Sequence, residues 1–403
     1  MAERLKIAVL LGGMSAEHDV SVLTGLQVLE ALDPQKYEGF PVYIGLDGQW
    51  WVGEALRQRK NYLPDLAVKR GLMRVQFGVG NSRGKGGKWV LRGVDGGMFG
   101  GGKEIDFDVV IPALHGTWGE DGILQGVMAA EGVPLVGGGV GAMAVCMNKA
   151  WAMQMARALE IPVLPSLVVQ RGDVLEGKEA VRRLGKYPLF VKPNFLGSSL
   201  GAKVVKDDEE LQASLSEVFR LDFTALVQPC VRNLVEFNVA VRRSAAGKIV
   251  TSAIERPLTS GETLDFKDKY LSGGGLDKLG GKLGPAQGEG MASLTRELHP
   301  KSLPAKKAAE LRGWAAALFE LLDLGGAPRL DFFGDSKTGE IWFNEINPLP
   351  GSFGYFLWEA AEPRIGFSDL LDEMIEEARG RARSRSRVID PTNGGGGIFR
   401  RRG

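Results

Sequence analysis

The alternation of apolar and polar residues predicts a strand, a glycine turn and a helix near the start of the chain. An apolar run over residues 6–11 ends at Gly12-Gly13, and an amphipathic stretch follows over residues 20–32. A Rossmann-like half begins with these elements in this order, and residues 37–44 continue it as a second strand. Such a turn can hold an anion at the helix N-terminus, but a single Gly-Gly turn is a weak signal.

The pattern degrades over residues 48–104, which carry tryptophans, basic residues and many glycines. We interpret this segment as an insertion of hairpins or loops. A buried strand is predicted at 107–113, followed by a helix whose first turn holds Glu120 and Asp121. The helix dipole favours acids in a first turn, so helix capping and a functional role both remain open for these two residues.

A second unit is predicted to open with a helix over 148–159 that starts near Lys149. Its main feature is a loop between strands at 189–192 and 202–205. The small residues of this loop are Gly197, Ser198, Ser199 and Gly201. Glycines permit close backbone approach and serines add donors, so the loop can fold over phosphates, with Lys192 as a cation. A plain hairpin tip is the alternative, because the loop lacks the ending of a Walker motif.

A third unit contains Glu236 at the start of a strand over 235–241, where it could hydrogen-bond a ribose or simply be solvated. The stretch 256–289 has little periodicity, and a loop of that length is usually a functional lid or disordered. The other predicted elements are strands at 166–170, 225–228 and 248–253, and helices at 176–184, 303–324 and 359–379. The basic, low-complexity tail over 379–403 is predicted to be disordered.

One predicted hairpin carries a cluster of oxygen-bearing side chains. Its strands, at 330–333 and 341–346, are joined by a polar turn. Glu345 and Asn347 point the same way because side chains alternate along a strand, and the hairpin brings Asp331 towards them. Hard oxygen ligands of this kind suit Mg²⁺, and they leave coordination positions on the ion that phosphates can fill. A solvated hairpin face is the alternative.

Composition narrows the class of protein. With 403 residues the chain suggests two or three domains, and 44% hydrophobic with 25% charged residues indicates a folded protein. Lys+Arg 50 against Asp+Glu 49 argues against nucleic-acid and membrane partners. Cys146 and Cys230 show no metal pattern and favour a reducing compartment, and the three histidines lie too far apart in sequence for a zinc site. With no apolar run approaching the ~18 residues of a membrane span, we place the protein in the cytoplasm.

Seven motifs occur in an order that resembles the D-alanine–D-alanine ligases of the ATP-grasp superfamily. They are LLGGMSAEHDVS, HGTWGEDGILQG, NKAWAM, VKPNFLGSSLG, VEFNVAV, DFKDKY, and RLDFF with NEINPLPG. The resemblance covers about residues 5–380, apart from the insertion and the tail. It implies an α/β protein in which a Rossmann-like N-terminal domain precedes an ATP-grasp clamp. The implied domains are 1–137 for substrate, 138–230 as the central ATP-grasp part and 231–378 as the C-terminal catalytic part.

The resemblance also implies roles for individual residues. Two Mg²⁺ ions, with Mn²⁺ as an alternative, would be held by Asp331, Glu345 and Asn347. The residues implied to contact ATP are Lys149, Lys192, Ser198, Ser199, Gln228, Glu236 and Lys269. Those implied to act on the amino acids or to hold the lid over them are Glu17, Ser198 and Tyr270, with Arg329 and the backbone of Gly351 as oxyanion donors.

The implied reaction is dipeptide formation from D-alanine through an acyl phosphate, for peptidoglycan precursor synthesis, by an enzyme that is commonly a homodimer. The chain departs from the family at one place: Phe356 stands five residues after Gly351, where a serine binds the carboxylate of the second substrate. A phenyl ring makes no such hydrogen bond. Either Ser352 or a neighbouring backbone amide replaces the serine, or the acceptor is not D-alanine, so a ligase with an altered acceptor is an alternative. An ATP-binding regulator without turnover is a further alternative, against which the retained metal-ligand, lysine and arginine positions speak.

Overall fold

The computed structural model describes residues 3–62, 71–94, 102–197, 200–258 and 296–386. Within them lie three sheets of seven, four and five strands. The first sheet has the strand order β6-β5-β4-β3-β2-β1-β7, with β1, β2 and β7 parallel and the other pairs antiparallel. Its strands are β1 (Leu5–Gly12), β2 (Tyr37–Ile44), β3 (Trp50–Val52), β4 (Met73–Gln76), β5 (Trp89–Gly93), β6 (Glu104–Phe107) and β7 (Val109–Pro112).

The predicted opening of strand, turn and helix is present. Helix α1 (His18–Ala31) follows β1, and Gly12 and Gly13 between them have φ of 90° and 98°. These values are costly for residues with a side chain, so the turn requires glycine. Strands β3 to β6, from within the predicted insertion, extend the same sheet as an antiparallel meander and form no separate unit.

The acids at 120–121 lie outside the helix in which they were predicted. Helix α2 (Ile123–Ala130) begins after a left-handed Gly122. Glu120 and Asp121 instead accept hydrogen bonds from loop backbone: Gly116 N donates to Glu120 at 2.7 Å, and Trp118 N donates to Asp121 at 2.7 Å. The expectation of a first-turn position was therefore wrong, because both residues precede the helix and accept from loop amides. Asp121 also accepts from the first amide of α2, from Ile123 N at 3.0 Å.

The four-stranded sheet is antiparallel with the order β10-β9-β11-β8. Its strands are β8 (Leu167–Gln170), β9 (Leu189–Pro193), β10 (Lys203–Val205) and β11 (Thr224–Pro229). The helices that precede or accompany it are α3 (Val140–Met147), α4 (Lys149–Ala158), α5 (Gly177–Leu184) and α6 (Asp208–Leu221). Helix α6 was not predicted, although three acids in its first turn match the helix dipole.

The five-stranded sheet is also antiparallel, with the order β14-β13-β12-β15-β16. Its strands are β12 (Leu234–Arg243), β13 (Ile249–Pro257), β14 (Arg296–Leu298), β15 (Arg329–Asp335) and β16 (Ile341–Asn347). Helix α7 (Ala305–Leu321) packs on β12 and β13 through an apolar core that includes Leu311, Leu318 and Phe319.

The final helix, predicted over 359–379, begins later and ends later in the structure. Helix α8 (Tyr355–Glu359) ends before Pro363, whose ring removes a backbone donor, and α9 runs over Phe367–Ser386. Helix α9 therefore continues into the segment predicted as a disordered tail. Its arginines pair with nearby acids, as Arg381 does with Asp323 at 2.6 Å, which supports the extra turns. Within the described residues, none of the helices is long and apolar enough to cross a membrane.

One face of the first sheet is covered in part by the C-terminal helices. Apolar residues of β1 and β7 share a buried cluster with one face of α9 and with α8. The members include Ile7, Val9, Val109, Ile111, Trp358, Leu370, Leu371, Met374 and Ile375. The C-terminal helix thereby fixes the first sheet against the part of the molecule that carries the hairpin.

Candidate active site

A cleft with a volume of about 750 Å³ lies between the four-stranded and five-stranded sheets. The structure brings six of the predicted site residues to its walls from positions far apart in the sequence. They are Lys149, Lys192, Gln228, Glu236, Asp331 and Glu345. The apolar part of the wall includes Leu164, Phe190 and Phe333. Apolar walls with a few convergent polar groups are typical of small-molecule sites.

The hairpin of β15 and β16 places its polar residues as predicted from the alternation. Asp331 pairs directly with Glu345, and Arg329 with Asn347, while the intervening residues point into the core. Arg329 donates to both oxygens of Asp331, from Nε at 2.7 Å and Nη2 at 2.8 Å. Asn347 Nδ2 donates to Asp331 Oδ2 at 2.8 Å. The four side chains form one polar group at the end of the hairpin.

The oxygen atoms of Asp331, Glu345 and Asn347 suit a hard divalent cation, although only two of the three side chains are acidic. Among the residues that the structure describes there is no group of three or more His, Cys, Asp or Glu side chains placed to hold a metal. The hairpin offers two carboxylates and an amide, and each carboxylate oxygen has two lone pairs, so Asp331 can accept from Arg329 and still coordinate a cation. This set fits Mg²⁺ whose other ligands are phosphate oxygens and water.

Two lysines reach the cleft from different elements, helix α4 and strand β9. Lys149 is the first residue of α4; its Nζ donates to Leu196 O at 2.6 Å and lies 3.4 Å from Glu345 Oε2. Lys192 lies on β9, and its Nζ donates to Asn344 Oδ1 on β16 at 2.8 Å. The second bond crosses from one sheet to the other. Both ammonium groups are thus held against strand β16, Lys149 beside the carboxylate of Glu345 and Lys192 at the amide of Asn344, and both line the cleft.

Gln228 presents an unsatisfied acceptor to the cleft. Its side chain is 1% exposed, and Nε2 donates to Ser166 Oγ at 2.9 Å. Its Oε1 has no hydrogen-bond partner among the described residues. A buried acceptor without a partner costs free energy, so a ligand N–H at this position, such as that of an adenine amino group, would relieve the cost. Glu236 lies on the same wall, in reach of the same ligand.

Glu17 closes the site on the side of the first sheet. It is buried between two glycine turns: a Cβ added at Gly116 or Gly197 would lie 3.0 Å or 3.1 Å from its Oε2. Burial and the adjacent charge of Glu17 raise the pKa of Glu120 above its ordinary value. Glu120 also accepts from Leu349 N at 3.2 Å, which connects this corner to the segment after β16.

The segment from Gly351 onwards is held by the first domain. Ser352 and Phe353 have φ of 48° and 52°, a region that residues with side chains seldom adopt. Ser352 N donates to Thr24 Oγ1 at 3.2 Å, and the same Thr24 Oγ1 is hydrogen-bonded to His115 Nε2 at 2.9 Å. This strained turn places the backbone of Gly351 between α1 and the hairpin.

Three of these residues were missed or misread from the sequence. Asn344 lies at a bulge in β16, so it faces the cleft although strict alternation would turn it away. No functional role was predicted for His115, and for Glu120 helix capping and a functional role both remained open. The burial of both was not predictable from local pattern. Four predicted residues, Ser198, Ser199, Lys269 and Tyr270, lie outside the described residues.

Comparisons with known proteins match most of the chain. The family model described as D-ala D-ala ligase N-terminus matches residues 6–138, and that described as D-ala D-ala ligase C-terminus matches 155–280 and 290–376. Relatives include the D-alanine–D-alanine ligase of Caldicellulosiruptor bescii, 30% identical over 93% of this chain and 95% of its own. That of Thermoanaerobacter pseudethanolicus is 33% identical over 93% of this chain and 97% of its own.

Solved structures agree. The D-alanine-D-alanine ligase from Coxiella burnetii has a TM-score of 0.76 and 26% identity, covering 97% of this chain and 99% of its own. The VanG D-Ala:D-Ser ligase from Enterococcus faecalis has a TM-score of 0.70 and 25% identity, covering 93% and 100%. The family predicted from the motifs is confirmed: the chain belongs to the D-alanine–D-alanine ligases, ATP-dependent enzymes with the ATP-grasp fold.

Proposed function

We propose that this protein joins two molecules of D-alanine into a dipeptide at the expense of ATP, for peptidoglycan precursor synthesis in the cytoplasm. The observation that carries the proposal is the convergence of Lys149, Lys192, Gln228 and the hairpin acids on one cleft between two sheets. Family membership supports the reaction type. We also propose that the enzyme is a homodimer, as the resemblance implies.

In this proposal ATP lies in the cleft with its adenine edge at Gln228 and its ribose at Glu236. Its phosphates extend towards Lys149, Lys192 and the hairpin. Asp331, Glu345 and Asn347 would hold two Mg²⁺ ions, or Mn²⁺ in their place. Bound there, the metal neutralises charge on the phosphoryl oxygens. Ser198, Ser199 and Lys269 are assigned to the phosphates and Tyr270 to the lid on the strength of the motifs alone.

The chemistry has two steps. A carboxylate oxygen of the first D-alanine attacks the γ-phosphorus of ATP, the bond to the bridging oxygen breaks and ADP leaves. The amine of the second D-alanine then attacks the acyl carbon, the C–O bond to phosphate breaks, and phosphate leaves as the amine loses a proton. Glu17 holds the ammonium of the first substrate, together with Ser198 and Tyr270. Arg329 and the Gly351 N–H stabilise the oxyanion of the tetrahedral intermediate.

The test is phosphate release by the purified protein with ATP, Mg²⁺ and single D- or L-amino acids. Release with D-alanine, together with formation of its dipeptide, supports the proposal. Release that requires another acceptor supports an altered ligase instead; Phe356 and the similarity to a D-Ala:D-Ser ligase motivate this second candidate. An absence of release with every amino acid would favour a regulator that binds ATP without turnover.

The metal assignment is tested by Asp331→Asn and Glu345→Gln, which keep side-chain shape and remove charge. Each should lower phosphate release about 100-fold or more while leaving the thermal midpoint nearly unchanged, because several kcal/mol of charge stabilisation is lost. Glu340→Gln, at the exposed turn of the same hairpin, is the matched control. Turnover at the normal rate in either hairpin variant would contradict the assignment.

A further inference from the structure

A polar row crosses four strands of the five-stranded sheet. Cross-strand pairing joins Glu255 to Asn238, Asn238 to Asp331, and Asp331 to Glu345. Residues directly opposite each other project from the same face of a sheet. Asn238 Nδ2 donates to Glu255 Oε2 at 3.1 Å, which agrees with this arrangement. The face that carries the hairpin acids therefore continues, with polar residues, as far as β13.

Arg296 extends the row on the edge strand β14. It pairs with Pro257, two residues beyond Glu255, and so shares the face of the row. Its Nη1 lies 2.9 Å from Glu255 Oε1, and Glu255 is 2% exposed, so this ion pair holds the guanidinium from the buried side. Burial lowers the pKa of Arg296, and the negative charge of Glu255 opposes that shift.

Arg296 also contacts the residue that departs from the family. Its guanidinium carbon lies 3.9 Å from the ring centroid of Phe356, five residues after Gly351. An aromatic face attracts a guanidinium and fixes the plane of its donors. Phe356 cannot bond a carboxylate itself, but it can hold a side chain that does.

We infer that Arg296, oriented by Phe356 and Glu255, binds the carboxylate of the second amino acid. A guanidinium has five N–H donors in a planar fork, so a pair with one carboxylate leaves capacity for another. Arg296 takes the role that the serine hydroxyl has in the family pattern, and Phe356 and Glu255 are positioning residues. The inference rests on the proposed function, since it assigns the acceptor site of that reaction.

The consequence is a specificity for acceptors that carry a carboxylate. D-Alaninamide has the amine and methyl group of D-alanine but lacks the negative charge, and should be a poor acceptor. Hydroxylamine has no carboxylate either, but it is reactive enough to trap the acyl phosphate as a hydroxamate. Hydroxamate formation from D-alanine, ATP and hydroxylamine thus reports the first step, and dipeptide formation reports both steps.

The test compares Arg296→Gln and Arg296→Lys with the unaltered protein in both assays. Arg296→Gln should raise the KM for acceptor D-alanine about 10- to 100-fold, as expected for the loss of a hydrogen bond between charged groups. Hydroxamate formation should change less than about twofold, and preference for D-alanine over D-alaninamide should fall. Arg296→Lys, which keeps the charge but loses the fork, should show an intermediate KM.

Arg243→Gln is the control. Arg243 also lies over a phenylalanine ring, with its guanidinium carbon 5.8 Å from the Phe319 centroid, but it is away from the cleft. Phe356→Ser in the Arg296→Gln background should recover part of the acceptor affinity by supplying a hydroxyl. Equal loss of hydroxamate and dipeptide in Arg296→Gln, or an unchanged acceptor KM, would overturn the inference. Failure of the unaltered protein to form either product would instead overturn the proposed function.

Discussion

His115 is buried against the turn that carries Gly351, and burial lowers the pKa of its imidazole to about 4. Its Nε2 meets Thr24 Oγ1 at 2.9 Å. The unfolded chain binds a proton at this residue near pH 6.5, whereas the folded protein does so only near pH 4. The stability that comes from the neutral ring is therefore complete above pH 6.5 and is lost as the pH falls towards 4.

Replacing His115 with Gln should make the protein less sensitive to mild acid. Between pH 6.5 and pH 5 the unaltered protein should lose about 2 kcal/mol more unfolding free energy than the variant, at about 1.4 kcal/mol per pH unit. The urea midpoints of the two proteins at both pH values measure this difference. His299→Gln removes an exposed histidine and serves as control. Parallel losses in His115→Gln and unaltered protein would contradict the expectation.

Single residues were predictable where the chain alternates regularly. Asp331, Glu345 and Asn347 converge because β15 and β16 pair in simple register up to a bulge. Asn344, at that bulge, and the buried acceptor of Gln228 depend on contacts between two sheets. Nothing local in the sequence specifies such contacts, so these features needed the folded molecule.

At the scale of elements, helix α4 shows how a cap positions a cation. Asn148 Oδ1 accepts from Trp151 N at 3.0 Å and from Asn194 Nδ2 at 2.9 Å. The second bond ties the start of α4 to the end of β9, and Lys149 is the next residue along the chain. The cap therefore fixes both the helix and the ammonium group that faces the cleft.

Asn148→Ala should lower stability by about 1 to 2 kcal/mol, through the lost cap and the unmatched Asn194 amide, and should also raise the KM for ATP. Asp207→Ala is its matched control. Asp207 caps α6 in the same domain, accepting from Glu210 N at 2.9 Å, and is remote from the cleft. The control should lose about 1 kcal/mol with an unchanged KM for ATP. Equal KM values for the two variants would show that the Asn148 cap does not position Lys149.

Helices and strands with a regular repeat of apolar residues were predictable from the sequence, but their first and last residues were less so. Helix α4, strand β2 and the hairpin strands occur where the pattern places them. The break between α8 and α9 could be predicted from Pro363, whereas the extension of α9 to Ser386 depends on tertiary pairs such as Arg381 with Asp323. Helix α6 begins at a capping Asp207 followed by three acids, a signal that the sequence does contain.

At the scale of the molecule, the two walls of the cleft belong to different sheets, one four-stranded and one five-stranded. Lys192 on β9 is 5% exposed and reaches across to Asn344 on β16. A ligand that binds between the two sheets of the folded protein stabilises it, and a tighter ligand stabilises it more at the same concentration. The residues that line the cleft are therefore far apart in the sequence, and no single segment contains the whole site.

A nonhydrolysable ATP analogue with Mg²⁺, at about 100 times its Kd, should stabilise the protein by about 2.7 kcal/mol, seen as a higher thermal midpoint. At the same concentration, Lys192→Met should lose most of this increase. Lys203→Met alters the neighbouring strand β10, where the lysine pairs with Glu217 on the surface, and should retain it. An undiminished increase in Lys192→Met would remove Lys192 from the nucleotide site.

The shared core between the first sheet and α9 also bears on how the chain is made. The first sheet is available once Pro112 has been synthesised, but the helix that covers part of it begins only at Phe367. At 5 to 20 residues per second, a ribosome needs on the order of 10 to 50 s to add that interval. During that time Ile7, Val9 and Ile111 lack the apolar neighbours that α9 supplies, so this face of the first sheet stays partly uncovered until the last helix has been synthesised.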